Sequence, residues 1–464
     1  MAFPLEKADL IGYVGGLIFD FFKTYLTKGL TMMRQNIFNL TVLISLTTLL
    51  SLTSYQCSDD NSAEPTPPTI IKIVVKSASD SSAIAGANVV LYDANTGESV
   101  SRAFSGSDGV ATFQNSFAGN YYVRISSQGF KELPEGSVSP IPFSVSSGKT
   151  ISQTYYMSIL PGTFGKIDGT VNPQLSGFLI VAKSSGMNSE YHTYSGPNGY
   201  FVLFNVPYDS YEVDAIKSGY QSINQPQVTL NSGSSSATVE INVNQITGST
   251  LTGKVTFLAA QNGIVDISLL DKISHSVVNG LTTMIDTSRN YVINNIPAGE
   301  YVAWASYEND GYVMDPDWIF KNPGALFVSF AGDSSKVRDF SVTDAITIIS
   351  PTNPSDELIP ALADSVVPTF SWNAYPSTKE YIVEVRDISG NLIWGGFRAN
   401  GEIRHSQIPK ELTSIEFNFD GSALMSLQSG SIYQWRLYSD DDDAPNIQTL
   451  LSANEDLMGL FIIP

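Results

Sequence analysis

The sequence predicts an all-β protein, a string of four β-sandwich domains behind an N-terminal signal and anchor segment. Three observations carry this. Beyond residue 70, short apolar runs alternate with Gly, Asn, Asp, Ser and Pro clusters, and no 12-residue stretch keeps a helical period. A repeat runs through these strands: Tyr121, Tyr211 and Tyr301 stand 90 residues apart, as do Gly109 and Gly199. That period is too long for a solenoid repeat of ~20–50 residues and is the size of one sandwich. The last segment breaks the repeat with a different pattern, Leu427, Gly430 and Tyr433. The chain has 464 residues, and the part beyond the anchor has room for three or four domains at ~100–150 residues each.

Residues 1–31 do not fit an export signal, because Glu6, Asp9 and Asp20 interrupt their apolar patch. Met32-Met33-Arg34 is a better start. The first 31 residues therefore read as a misplaced upstream extension, or as an amphipathic helix lying on a membrane. Residues 32–56 have the layout of a signal peptide: Arg34, an uncharged apolar run over 37–52, then Thr53-Ser54-Tyr55-Gln56. Cys57, the only cysteine, follows. These residues resemble the signals of bacterial lipoproteins, with one departure: Gln56 stands where a small residue is usual. The resemblance implies lipid attachment at Cys57. Ser58, Asp59 and Asp60 resemble the acidic export signal of Bacteroidota lipoproteins. That likeness implies a lipid-anchored, surface-exposed place on the outer membrane, with the membrane as a partner. The competing reading is an uncleaved membrane helix, but a run of 16 residues falls short of the ~18–20 needed to span. Residues 57–69, rich in Asp and Pro, read as a tether.

Residues 70–160, 161–246 and 247–345 carry the repeat. The first unit has Ser107-Asp108-Gly109, then Gly119-Asn120-Tyr121, then Gly129-Phe130. The second has Pro197-Asn198-Gly199, Asn205-Val206-Pro207, Tyr211 and Gly219-Tyr220. The third has Arg289-Asn290-Tyr291, Asn295-Ile296-Pro297, Tyr301 and Gly311-Tyr312. Asp-Gly or Asn-Gly supplies the positive φ of a tight hairpin turn. The next strand feeds apolar residues to the core, and the tyrosine strand returns. The opening strands carry Ile167-Asp168-Gly169-Thr170-Val171 and Leu251-Thr252-Gly253-Lys254-Val255. This pattern resembles the carboxypeptidase regulatory-like family, which implies a transthyretin-like seven-stranded sandwich and a mostly non-catalytic appendage. Two departures stand out. Unit one has Ile73 in place of the opening-strand glycine, and unit three lacks the turn glycine.

Residues 346–464 differ. Trp372 sits in an early strand, and the Leu427, Gly430, Tyr433 spacing is that of a tyrosine corner, in which the phenol bonds back to the backbone. This resembles a fibronectin type III domain and makes Trp372 and Trp435 core residues.

The formal charge is −20, and without residues 1–56 it becomes 21 basic against 42 acidic groups. A chain this acidic repels nucleic acid, which is excluded as a partner. No enzyme chemistry emerges. His192, His275 and His405 lie in different units, no paired metal-ligand spacing links them, and no Gly-x-Ser-x-Gly elbow occurs. No cofactor is expected, with one candidate exception. Asp440, Asp441, Asp442 and Asp443 offer carboxylates to Ca²⁺, although such loops usually space their ligands, and a solvated acidic loop is the plainer reading.

The second candidate site is aromatic. Strand register turns Tyr301 inward and Trp304 outward, at the position of Arg124 in unit one and Asp214 in unit two. A longer loop over 312–323 holds Trp318. Trp304 and Trp318 make a glycan platform, or they pack the loop onto its own sheet or a neighbouring domain. The expected role is a non-catalytic, lipid-anchored surface protein that binds or displays an extracellular ligand, a polysaccharide or a surface protein. The alternatives are a polysaccharide-binding lipoprotein beside an outer-membrane importer and a structural stalk or adhesin spacer.

Overall fold

A computed structural model describes residues 68–464, apart from 115, 135–140, 188, 259–262, 273, 306–311, 315–325, 355–357, 389, 399–400 and 442–449. Residues 1–67, with Cys57 and the Ser58, Asp59, Asp60 run, lie outside the described residues, as does Trp318. No α-helix occurs among the described residues. Strands run over 70–157, 165–245, 249–344 and 348–462 in four sandwich modules.

The first three modules share one topology. Their first sheets are built on Ile70–Ser77, Gly165–Asn172 and Ser249–Phe257. Each of these strands pairs antiparallel with the strand after the hairpin turn and parallel with strands at the end of its module. The second sheets are centred on Asn88–Asp93 with Gly119–Ser126, Leu179–Ser184 with Ser210–Ile216, and Asp266–Asp271 with Gly299–Ala305.

Register explains both departures from the repeat. Ile73 lies opposite Ala111, Gly169 opposite Phe201, and Gly253 opposite Tyr291. A large residue on one strand meets a small one on the other, and module one has exchanged them. A Cβ on Gly253 would lie 2.6 Å from the Tyr291 ring and 1.7 Å from the Arg338 carbonyl. At the hairpin turn, Gly109 and Gly199 have φ of +79° and +73°, and Arg289 takes the same place at +65°. Its carbonyl still accepts the equivalent bond, from the Val255 N–H at 2.9 Å.

The repeated tyrosine has one job in all three modules. Tyr121, Tyr211 and Tyr301 donate their hydroxyls to the carbonyls of Phe117, Pro207 and Pro297 at 2.9, 2.8 and 2.9 Å. Each hydroxyl ties its strand to the turn four residues upstream, while the ring fills the core.

The fourth module sets a three-stranded sheet (Ile348–Ser350, Thr369–Trp372, Ser414–Glu416) against a larger one built on Glu380–Asp387 and Ile432–Asp440. Trp372, Trp394 and Trp435 are fully buried between them. The Tyr433 hydroxyl accepts the Gln428 N–H at 2.9 Å, so the phenol bonds back to the backbone as the sequence pattern required.

The all-β, multi-sandwich class holds, but the modules are not strung apart. Residues 67–464 form one compact unit. Val90 and Tyr92 of module one and Leu179, Val181 and Tyr194 of module two join Leu270, Val277 and Val302 of module three in one core. The central strands of the second sheets are buried on both faces, one against their own sandwich and one against the neighbours. All three pairs of modules also exchange hydrogen bonds. Asn205 holds the Gly129 N–H and the Ser127 and Phe130 carbonyls, at 2.7, 2.9 and 2.8 Å. The Asn295 carbonyl takes the Gly219 N–H at 2.8 Å. The Asn279 side chain closes on both backbone groups of Ser99. The fourth module adds Leu358, Leu457 and Leu460, which pack on Ala94 and Ile141 of module one.

Candidate functional site

The shared packing leaves a cleft of about 180 Å³ where modules one, three and four meet. Strand alternation places its walls. In Gly119–Ser126, Tyr121, Val123 and Ile125 enter their own core, so Tyr122 and Arg124 face the other way, into the cleft. In Gly299–Ala305 the same alternation turns Tyr301, Ala303 and Ala305 inward and Trp304 onto the opposite face. The register expected for Trp304 is observed, but the face it occupies belongs to a junction. The indole is half-buried against the shared core. Asp214, the third equivalent residue, accepts a hydrogen bond from Gln225 Nε2 at 2.9 Å instead.

Module four contributes Arg436 and Asp456. Burial works against the Arg436 charge, but Asp456, Tyr438 and Glu384 outweigh it and hold the guanidinium charged, above its usual pKa. Its Nη1 and Nη2 are taken by Asp456. Its Nε is buried and makes no hydrogen bond among the described residues. Tyr122 stacks on Tyr92, with centroids 4.8 Å apart and planes at 10°, and burial pushes its hydroxyl up to about 12. His275 stands exposed at the cleft wall with φ of +53°.

A second polar cluster lies where module two meets its neighbours. Burial, then the charge of Arg124, pushes His192 down to about 4, against the opposing pull of Asp271. Burial, then Asp271, pushes Glu190 up to about 7, although Lys183 stands 3.5 Å away. Sequence reasoning missed this pair, because Glu190, His192 and Tyr194 alternate like a solvent face. The Tyr194 ring was the available signal that this face is covered. His405 is a structural residue: Nε2 accepts the Val383 N–H at 2.9 Å, Nδ1 donates to the Ser406 carbonyl at 2.7 Å, and burial lowers its pKa.

The acidic run is divided. Asp440 is fully buried at the end of its strand, paired in register with the buried Glu380, so it is not part of a solvated loop. Asp441 is exposed, and Asp442 and Asp443 lie outside the described residues. Among the described residues no three His, Cys, Asp or Glu side chains gather as a metal site.

Fold and site together define a multi-module β-sandwich protein with a small inter-module cleft. Residues 70–147, most of module one, match the family model of the carboxypeptidase regulatory-like domain. A search of curated proteins returned no match. Among solved structures, the chain is similar to the Bacillus anthracis TIE protein at 11% identity and a TM-score of 0.17, covering 60% of this chain and 51% of that one, so it spans about half of that protein's length. It is also similar to a streptococcal ancillary pilin, at 10% identity and a TM-score of 0.18, covering 60% of this chain and 99% of that one. A third likeness is to BcpA, the major pilin subunit of Bacillus cereus, at 11% identity and a TM-score of 0.15, covering 60% and 100%.

Proposed function

We propose that this chain is a non-catalytic, lipid-anchored surface protein that presents a rigid body of sandwich modules to an extracellular ligand. The observation that carries this reading is the fusion of three like modules over one core, the first matching the carboxypeptidase regulatory-like domain. Such packing suits a scaffold, because it fixes the loops and faces of each module relative to the others. The strand order of the fourth module, three strands facing a larger sheet, together with its tyrosine corner, supports the fibronectin type III-like reading. The anchor rests on Cys57 and the acidic residues after it. Labelled palmitate fed to cells should enter the wild-type chain and not Cys57→Ala; a wild-type chain that takes up no label removes the anchor. Asp59→Ala with Asp60→Ala should keep the label and lose protease accessibility on whole cells.

The cleft favours one second reading, a glycan-binding lipoprotein, since it joins aromatic rings to charged side chains at the size of a single sugar.

A further inference from the structure

We infer that module one is a self-association surface: the open edge of Thr150–Met157 pairs antiparallel with the same edge of a second copy of this chain, about a two-fold axis at Gln153. The inference goes beyond the anchored-scaffold reading and does not depend on the anchor.

Register shows which backbone groups are open. Thr150–Met157 is the last strand of its sheet and pairs only with Ile70–Ser77 among the described residues. The Ile70 N–H donates to the Lys149 carbonyl and the Ala78 N–H to the Met157 carbonyl, both at 2.9 Å. Odd-numbered residues therefore turn their backbone groups toward Ile70–Ser77, and Thr150, Ser152, Thr154 and Tyr156 turn theirs outward. One step further on the outward groups are taken, since the Lys131 N–H donates to the Ser158 carbonyl at 2.8 Å. The outward groups of Thr150, Ser152, Thr154 and Tyr156 have no hydrogen-bond partner among the described residues.

The sibling modules close this edge. Val239 lies opposite Gly169 as Gln153 lies opposite Ile73, so Glu240 and Asn242 are the counterparts of Thr154 and Tyr156. The Asn224 side chain donates to the Glu240 carbonyl at 3.1 Å, and the Ile223 N–H to the Asn242 carbonyl at 2.9 Å. Module three breaks the row into Ser335–Val337 and Phe340–Asp344 and covers the second piece with Tyr312–Met314. In module one the chain after Phe130 turns away, and Leu133 pairs with Ile125 instead.

The edge left open lacks the usual protections. Thr150–Met157 has no charge and no proline, and its register runs without a bulge. The side chains of Thr150 and Ser152 are exposed, as is the Tyr156 ring at 47%. With no charge along it, the strand has no ion pair by which to select a foreign peptide, whereas it is its own complement. Around Gln153, Thr150 faces Tyr156 of the second copy and Ser152 faces Thr154, so every outward N–H and C=O finds a partner. A slip of one residue would set outward groups against inward ones, and only the antiparallel arrangement is isologous and closes at two copies. The net charge of −20 makes two copies repel, but the seam itself is neutral, so pairing should strengthen as salt screens the repulsion.

The test uses the full-length chain in cells. Gln153→Cys places two thiols at a facing pair with Cα atoms ~4.5 Å apart, within reach of a disulfide. Mild oxidation should link Gln153→Cys into a dimer, and more of it at higher salt. The wild type, whose one cysteine is Cys57, should not link. Nor should Thr112→Cys, an exposed position on Val110–Gln114 at the other edge of the same sheet. Adding Thr154→Pro to Gln153→Cys should cut the dimer at least tenfold, because it removes an outward N–H and leaves the pairing with Ile70–Ser77 intact. Thr154→Lys should do the same by charging the seam, and thermal melting shows that each variant is folded. A folded Gln153→Cys chain that gives no dimer overturns the inference. So does equal linking of Thr112→Cys, a dimer that survives both Thr154 variants, or mass spectrometry that finds Gln153→Cys joined to a different polypeptide.

Discussion

Single residues in this protein are constrained by their cross-strand partners more than by their own propensities. Gly253 has no freedom to grow, because a Cβ there meets the Arg338 carbonyl at 1.7 Å, and a backbone atom cannot swing aside. Gly253→Ala should cost about 1–3 kcal/mol in urea denaturation, the range of overpacked cores. Shortening Tyr291 should not rescue it, since the carbonyl remains. Tyr301→Phe removes a buried hydroxyl bond to Pro297 and should cost about 1 kcal/mol, as should the same change at Tyr121 and Tyr211. The sequence showed these tyrosines by spacing alone. It did not explain Ile73, because the exchange of large and small residues with Ala111 becomes visible only once strand register is known. It also did not show that Arg289 occupies a glycine's turn, since nothing in a side chain's identity reports that φ is +65°.

At the level of elements, the informative strands are those buried on both faces. Asn88–Asp93, Leu179–Ser184 and Asp266–Asp271 are buried along almost their whole length. Runs such as Val89-Val90-Leu91 and Leu179-Ile180-Val181-Ala182 are continuous rather than alternating, which marks a strand covered on both sides. That signal was present in the sequence, but periodicity names no partner, so the shared core was not legible from it. The cleft was half legible: register gave the face of Trp304 and Arg124, while Arg436 arrives from a module with an unrelated pattern. The joints between modules make a separate prediction. Asn205→Ala removes three hydrogen bonds to module one and should cost about 2 kcal/mol, measured as a shift in the urea midpoint. The buried pair His192 and Glu190 predicts an unusual pH response. His192 has its pKa lowered from 6.5 to about 4, so its contribution is present above pH 6.5 and is lost as pH falls through 4. Glu190 has its pKa raised from 4.5 to about 7, so its contribution is present below pH 4.5 and is lost as pH rises through 7. The two oppose each other between pH 4.5 and 6.5. His192→Gln should therefore expose the Glu190 term, with denaturation midpoints that fall as pH rises from 4.5 to 7. A variant as flat with pH as the wild type would contradict this.

At the scale of the molecule, modules differ in how far they depend on one another. The large core of module four is drawn wholly from its own residues, so residues 346–464 should fold alone with a cooperative melting transition. Module three is different, because its main core includes side chains of modules one and two. Residues 247–345 alone would expose Leu270, Val277 and Val302, and should be aggregated or melt well below the full chain by circular dichroism. The triangle of contacts among the first three modules also bears on how many copies such a protein can hold. In an open row, each duplication of the gene segment adds another link and extends the reach. Here the second sheet of each copy is already covered by the other two, joined at Asn205, Asn279 and Asn295. A fourth copy of the same sequence would find no inner face left to cover and would leave its own apolar strand bare. Three is thus the number at which this arrangement closes, and any later addition has to be a domain of another kind docking from outside.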